Sequence, residues 1–175
     1  MGTHTGTHVD APRHFVPSGA TIENEDLGKY YGPACVLDFS DFSDKTEISL
    51  EMLKAKLPFD HPDRVLFRFD WDLRLNSREY YSHHPFLSED AAEFLVMSGV
   101  VLVGFDSPMP DNPLNGSGSE RDSPNHLIFL SNGVVILEYL TNLRELDRHN
   151  FTLSALPLKI QQGDGAPVRA VAIVD

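Results

Sequence analysis

The sequence predicts an α/β domain, because apolar runs of strand length alternate with patterns of helical period along the chain. The strand-like runs are "ACVLDF" (34–39), "RVLFRF" (64–69), "VVLVGF" (100–105), "VVILE" (134–138) and "VRAVAIV" (168–174), with "LPLKI" (156–160) a weaker one. Several are apolar at consecutive positions, the pattern of strands covered on both faces.

In chain order, "SLEMLKAKL" (49–57) reads as a helix with Ser49 as N-cap. "SEDAAEFLVMSG" (88–99) reads as a second, with Ser88 as N-cap, acidic residues in its first turn and Gly99 just past its end. "DSPMPDNPLNGSGSERDSPN" (106–125) holds four prolines and little to bury, so it is expected to be a long loop. Its Asp106, Asp111, Glu120 and Asp122 are expected to be solvated. His61, His83 and His84 stand beside prolines in polar turns and are expected at the surface.

The 175 residues suit one domain, 1–175, large enough for a real core. A net charge of −12 with no basic run repels phosphate backbones and anionic lipid, so nucleic-acid and membrane-surface roles are excluded in favour of small molecules and cations. The lone Cys35 lies in an apolar run and is expected in the core. One thiol excludes an internal disulfide and a thiolate zinc cage. No apolar stretch approaches the ~18 residues of a membrane span. The first residues lack a secretory pattern, so a cytoplasmic location is expected.

The first fourteen residues carry the chemistry. "HTGTHVDAPRH" (4–14) threads histidines and an aspartate through glycine, threonine and proline. The glycine, threonines and Pro12 argue against a helix. In a straight strand His4, His8 and Asp10 share one face, yet His4 and His8 stand ~13 Å apart, too far for a shared ion. The set can converge only if the chain bends, and Gly6 permits the bend. Histidine and carboxylate ligands without thiolate favour zinc, manganese or iron. Far downstream, "NHLIFLSNGVVILEYLTNL" (125–143) places His126 after the long loop and Glu138 at the end of an apolar strand. A glutamate there is costly to bury unless something positive meets it. An exposed strand-end glutamate and an unrelated polar loop are the bland alternatives.

These two stretches, with "DGAPVRAVAI" (164–173), resemble the bacterial kynurenine formamidase and metal-dependent cyclase family, which includes isatin hydrolases. The resemblance runs from about residue 3 to the C-terminus. It implies a swivelling β/β/α fold and a site for two divalent cations, zinc first and manganese as the alternative. His4 and His8 would hold one ion and His126 the other, with Asp10 and Glu138 bridging both and His14 acting as general acid/base. The implied reaction is hydrolysis of an amide, foremost N-formylkynurenine to kynurenine and formate. Isatin-like cyclic amides, or a catalytically inactive metal-binding role, are the alternatives.

The family carries some forty residues ahead of the first motif. The sequence is therefore expected to lack the usual N-terminal strand, and a homodimer or higher homo-oligomer is expected to cover the exposed edge. The loop 106–125 is also longer and more polar than the family's, which is expected to reshape the substrate pocket.

Overall fold

The computed structural model describes residues 1–116, 118–146 and 150–174. Ser117, inside the expected loop, lies outside them. The strands and helices run in the order β1 (His8–Asp10), β2 (Tyr31–Asp38), β3 (Glu47–Ile48), α1 (Leu50–Lys56), β4 (Arg64–Arg68), β5 (Phe86–Leu87), α2 (Glu89–Met97), β6 (Leu102–Phe105), α3 (Pro124–Ser131), β7 (Val135–Glu138), β8 (Asn150–Ser154), β9 (Gly165–Pro167) and β10 (Val171–Ile173). Eight strands form one sheet in the order β10-β8-β2-β4-β6-β7-β1-β9, and β3 pairs with β5 separately.

β2, β4, β6 and β7 are parallel neighbours, and each falls within one of the expected strand-like runs or overlaps it. The reason is visible in their alternation. Cys35, Leu37, Val65, Phe67, Val103, Phe105 and Ile136 point to one face, against Leu53 of α1, Ala91, Ala92 and Leu95 of α2, and Phe129 and Leu130 of α3. Ala34, Val36, Leu66, Leu102, Val135 and Leu137 point to the other. There they meet Ile22, Tyr30, Leu140, Leu143, Phe151 and Leu153 from short 3-10 turns, connecting segments and β8. Cys35 is buried, as expected.

The helix ends follow the sequence closely. Ser49 caps α1 by accepting the Met52 N–H at 3.3 Å. Ser88 holds the N-cap position of α2, but its hydroxyl donates to Asp90 and to the Ile48 carbonyl instead.

Other expectations fail for reasons that depend on distant partners. "LPLKI" (156–160) forms no strand, and its Leu156 and Leu158 are exposed. The 168–174 run pairs only over Val171–Ile173. The stretch 106–125 is not simply a solvated loop. Asp106 is buried because both its oxygens accept the Phe69 N–H, each at 3.0 Å, and burial pushes its carboxyl up to about 7. Asp111 is buried as well, against α3, whose first residues were read as the end of the loop. Glu120 and Asp122 are exposed, as expected.

His84 is a further correction, since it is fully buried. Its turn is drawn inward where the Phe86 N–H meets the Thr46 carbonyl and the Leu87 N–H meets the Pro110 carbonyl. Burial holds the imidazole at about 4, below the ordinary 6.5. As pH falls from 6.5 toward 4 the unfolded chain takes up this proton and the folded chain does not, so stability is lost over that window. The full loss is about 3 kcal/mol. Urea unfolding of the parent and of His84→Gln at pH 7 and pH 4 should show the variant gaining that margin on acidification; parallel stability curves would contradict it.

Candidate metal centre and active site

The two metal-bearing stretches meet because β1 inserts between β7 and β9. β1 runs antiparallel to β7, with His8 opposite Glu138 and Asp10 opposite Ile136. Alternation along β1 sends His8 and Asp10 to the helical face of the sheet, and Val9 to the other core. Glu138 ends a strand of the parallel set, the end at which open α/β sheets bind ligands. The N-terminal bend falls where the sequence requires it: Gly6 has φ +63°, a left-handed turn that brings His4 back over the strand. Gly165 makes room for that ring, since a Cβ there would lie 2.8 Å from His4 Cε1.

His126 arrives from the first turn of α3, anchored by the buried Phe129 and Leu130. The five proposed ligands thus converge. One oxygen of Asp10 lies 2.7 Å from His4 Nδ1 and 3.3 Å from His8 Nε2, and its other oxygen lies 3.4 Å from His126 Nε2. Glu138 repeats the division, with one oxygen 3.5 Å from His8 Nε2 and the other 3.2 Å from His126 Nε2. His8 Nδ1 faces the Gly6 carbonyl at 2.8 Å, which leaves Nε2 turned to the carboxylates.

This donor set fits a divalent cation. Asp10 Oδ2 and Glu138 Oε1 are buried without a hydrogen-bond partner among the described residues, an arrangement that is costly unless a positive charge is present. Protons supply that charge when no ion does. Burial opposes a charge on His4, but bonds and charges from Asp10 and Asp164 push it up to about 9. His8 and His126 are raised against the same opposition, His8 chiefly by Asp10 and His126 by Asp10, Asp111 and Glu138. Those imidazoles hold Asp10 well below the usual carboxylate range despite its burial. Glu138, buried and beside the charge of Asp10, is pushed up. A cation displaces these protons when it binds.

His14 closes a short 3-10 turn, Pro12–His14. It stacks on His4 at 4.0 Å between ring centroids, and its Nδ1 is 3.5 Å from a carboxylate oxygen of Asp164. Burial and the charges of His4 and His126 hold it below the ordinary histidine value, although Asp10 and Asp164 pull the other way.

The four histidines and Glu138 line a cleft of about 500 Å³, walled by Phe15, Pro108, Met109 and Tyr139 and bordered by Gly116, Asp122 and Ser123. The long loop does shape the pocket. Tyr139 directly follows Glu138 in a left-handed conformation, φ +55°, and its carbonyl accepts the Thr7 hydroxyl at 2.7 Å. Sequence reasoning missed Asp111, Asp164 and Tyr139. Asp164 lies inside a motif quoted for its resemblance, so a signal was present; Asp111 offered none.

Fold and site together define an α/β domain with a buried histidine–carboxylate centre suited to divalent cations. A family model described as "Putative cyclase" matches residues 1–112. The kynurenine formamidase of Bacillus thuringiensis (strain Al Hakam) is 34% identical over 171 residues, 98% of this chain and 76% of that protein. An isatin hydrolase bound to the product analogue thioisatinate superposes with a TM-score of 0.87 at 28% identity, covering 99% of this chain and 73% of that one. A potential metal-dependent hydrolase with cyclase activity superposes at 0.81 with 32% identity, covering 98% and 79%. The chain belongs to this cyclase family. Among the described residues no helix is long and apolar enough to cross a membrane.

Proposed function

We propose that this chain is an arylformamidase that hydrolyses N-formylkynurenine to kynurenine and formate, using two divalent cations, zinc first and manganese as the alternative. The observation that carries the reading is the divided reach of Asp10 and Glu138, each with one oxygen toward the His8 side and one toward His126. Carboxylates so placed suit two ions rather than one. His4, His8, Asp10 and Glu138 would hold the first, and His126, Asp10 and Glu138 the second.

Cations in such a site lower the pKa of water and polarise a carbonyl oxygen, the two things a poorly electrophilic formamide needs. The chain's own residues do the rest. His14, with Nδ1 toward Asp164, lines the cavity. Its depressed pKa keeps Nε2 unprotonated near neutrality, so it can take a proton from the attacking water and return it to the leaving aryl amine. Phe15, Met109 and Tyr139 give the aryl ring apolar walls and exclude water from the reacting carbon.

Elemental analysis of purified protein, paired with an absorbance assay for kynurenine and the same assay with isatin, tests the reading. Two ions per chain, formamide turnover, and loss of turnover on chelation that zinc restores are expected. Metal-free protein that is already active would overturn it. So would loaded protein inert toward the formamide, with isatin opening then marking the cyclic-amide alternative.

A further inference from the structure

Asp111 is fully buried, contacts no other proposed metal ligand, and is spent on one short stretch of α3. Its Oδ1 accepts the Asn125 N–H at 2.6 Å, and its Oδ2 faces the His126 N–H at 3.3 Å and His126 Nδ1 at 2.6 Å. It therefore occupies the place of an N-cap for α3, which Ser123 at the N-cap position does not fill with its own side chain. Asn125 locks the arrangement from the other side, because its amide donates to the Leu87 carbonyl at 2.8 Å and the Pro110 carbonyl at 3.0 Å. The residue just before Asp111 is thus tied to the helix that Asp111 caps.

A carboxylate can only accept at His126 Nδ1, so Nδ1 carries hydrogen and Nε2 is the nitrogen left for the carboxylates of Asp10 and Glu138. We propose that Asp111 is a positioning residue that fixes both the ring direction and the Nδ1–H form of His126, making His126 a ligand through Nε2 alone. The inference rests on the reading of His126 as a metal ligand. Histidine ligands are commonly held this way by a partner on the far nitrogen, whose loss costs about 10- to 100-fold in metal affinity.

The test is Asp111→Asn, which keeps the volume and one capping acceptor but can offer an amide N–H to Nδ1. Two measurements are made on parent and variant. The first is the hydrogen-bonded Nδ1–H signal of His126 in metal-free, ¹⁵N-histidine-labelled protein, assigned by its absence in His126→Gln. The second is zinc affinity by competition with a chelating dye. The signal should lie far downfield in the parent, as for an N–H facing a buried carboxylate, and move upfield or vanish in Asp111→Asn, with zinc binding weakened about 10- to 100-fold. A variant that keeps the signal and binds zinc like the parent overturns the proposal, as does a parent without the signal, even if helix α3 is destabilised by the lost cap. If the signal behaves as expected but neither protein binds zinc, the positioning role stands and the metal-centre reading falls.

Discussion

His14→Ala is expected to lower kcat for formamide hydrolysis by about 10²- to 10⁴-fold, the usual worth of a positioned acid/base, while metal content stays at the parent value. The geometry makes this a sharp test because a rival role is close by. His14 lies near enough to Asp10 and His126 for the three to be considered as a ligand set. Two observations favour the catalytic role. His14 Nδ1 lies 3.5 Å from the half-exposed Asp164, and the ring stacks on His4 at the cavity wall. Metal analysis and kcat on the same preparation decide between them: a variant that loses an ion along with its activity makes His14 a ligand.

Asp10→Asn should have the larger effect. Among the described residues Asp10 is the one side chain within 3.4 Å of all three imidazoles of the proposed ligand set, and it is buried at their centre. The amide removes the negative charge and keeps only one oxygen, so one of the two proposed ions would lose a ligand and the other a charged one. In the parent, saturating zinc at 100 times its Kd stabilises by about 2.7 kcal/mol, which for a domain of this size raises Tm by roughly 5–11 °C. The variant should show no zinc-dependent rise in Tm and no measurable turnover. A thermal shift equal to the parent's would remove Asp10 from the metal centre.

Much of this was legible before any coordinates. The parallel strands announced themselves because a sheet covered on both faces must be apolar at consecutive positions, as Cys35–Leu37 and Val65–Phe67 are. The bend at Gly6 was required by distance alone, and φ +63° supplies it. What stayed hidden was whatever depends on partners remote in sequence. β9, "Gly-Ala-Pro", has no strand character of its own and exists because β1 offers it an edge. α3 is eight residues opening on Pro124 after a proline-rich stretch, too short for its period to stand out. Asp106 and Asp111 looked solvated because acidic residues beside prolines usually are; the backbone N–H groups that make their burial affordable belong to Phe69 and Asn125. His84 was misplaced for the same reason.

The insertion of β1 between β7 and β9 also dictates when the enzyme can mature. His8 and Asp10 precede by more than a hundred residues the strands that flank them, at residues 135–138 and 165–167. Until both have emerged, the nascent amino end has no edge to dock on, and closing so long a loop is slow. A cation held by His8, Asp10 and Glu138 would therefore bind only after these distant strands have closed on β1.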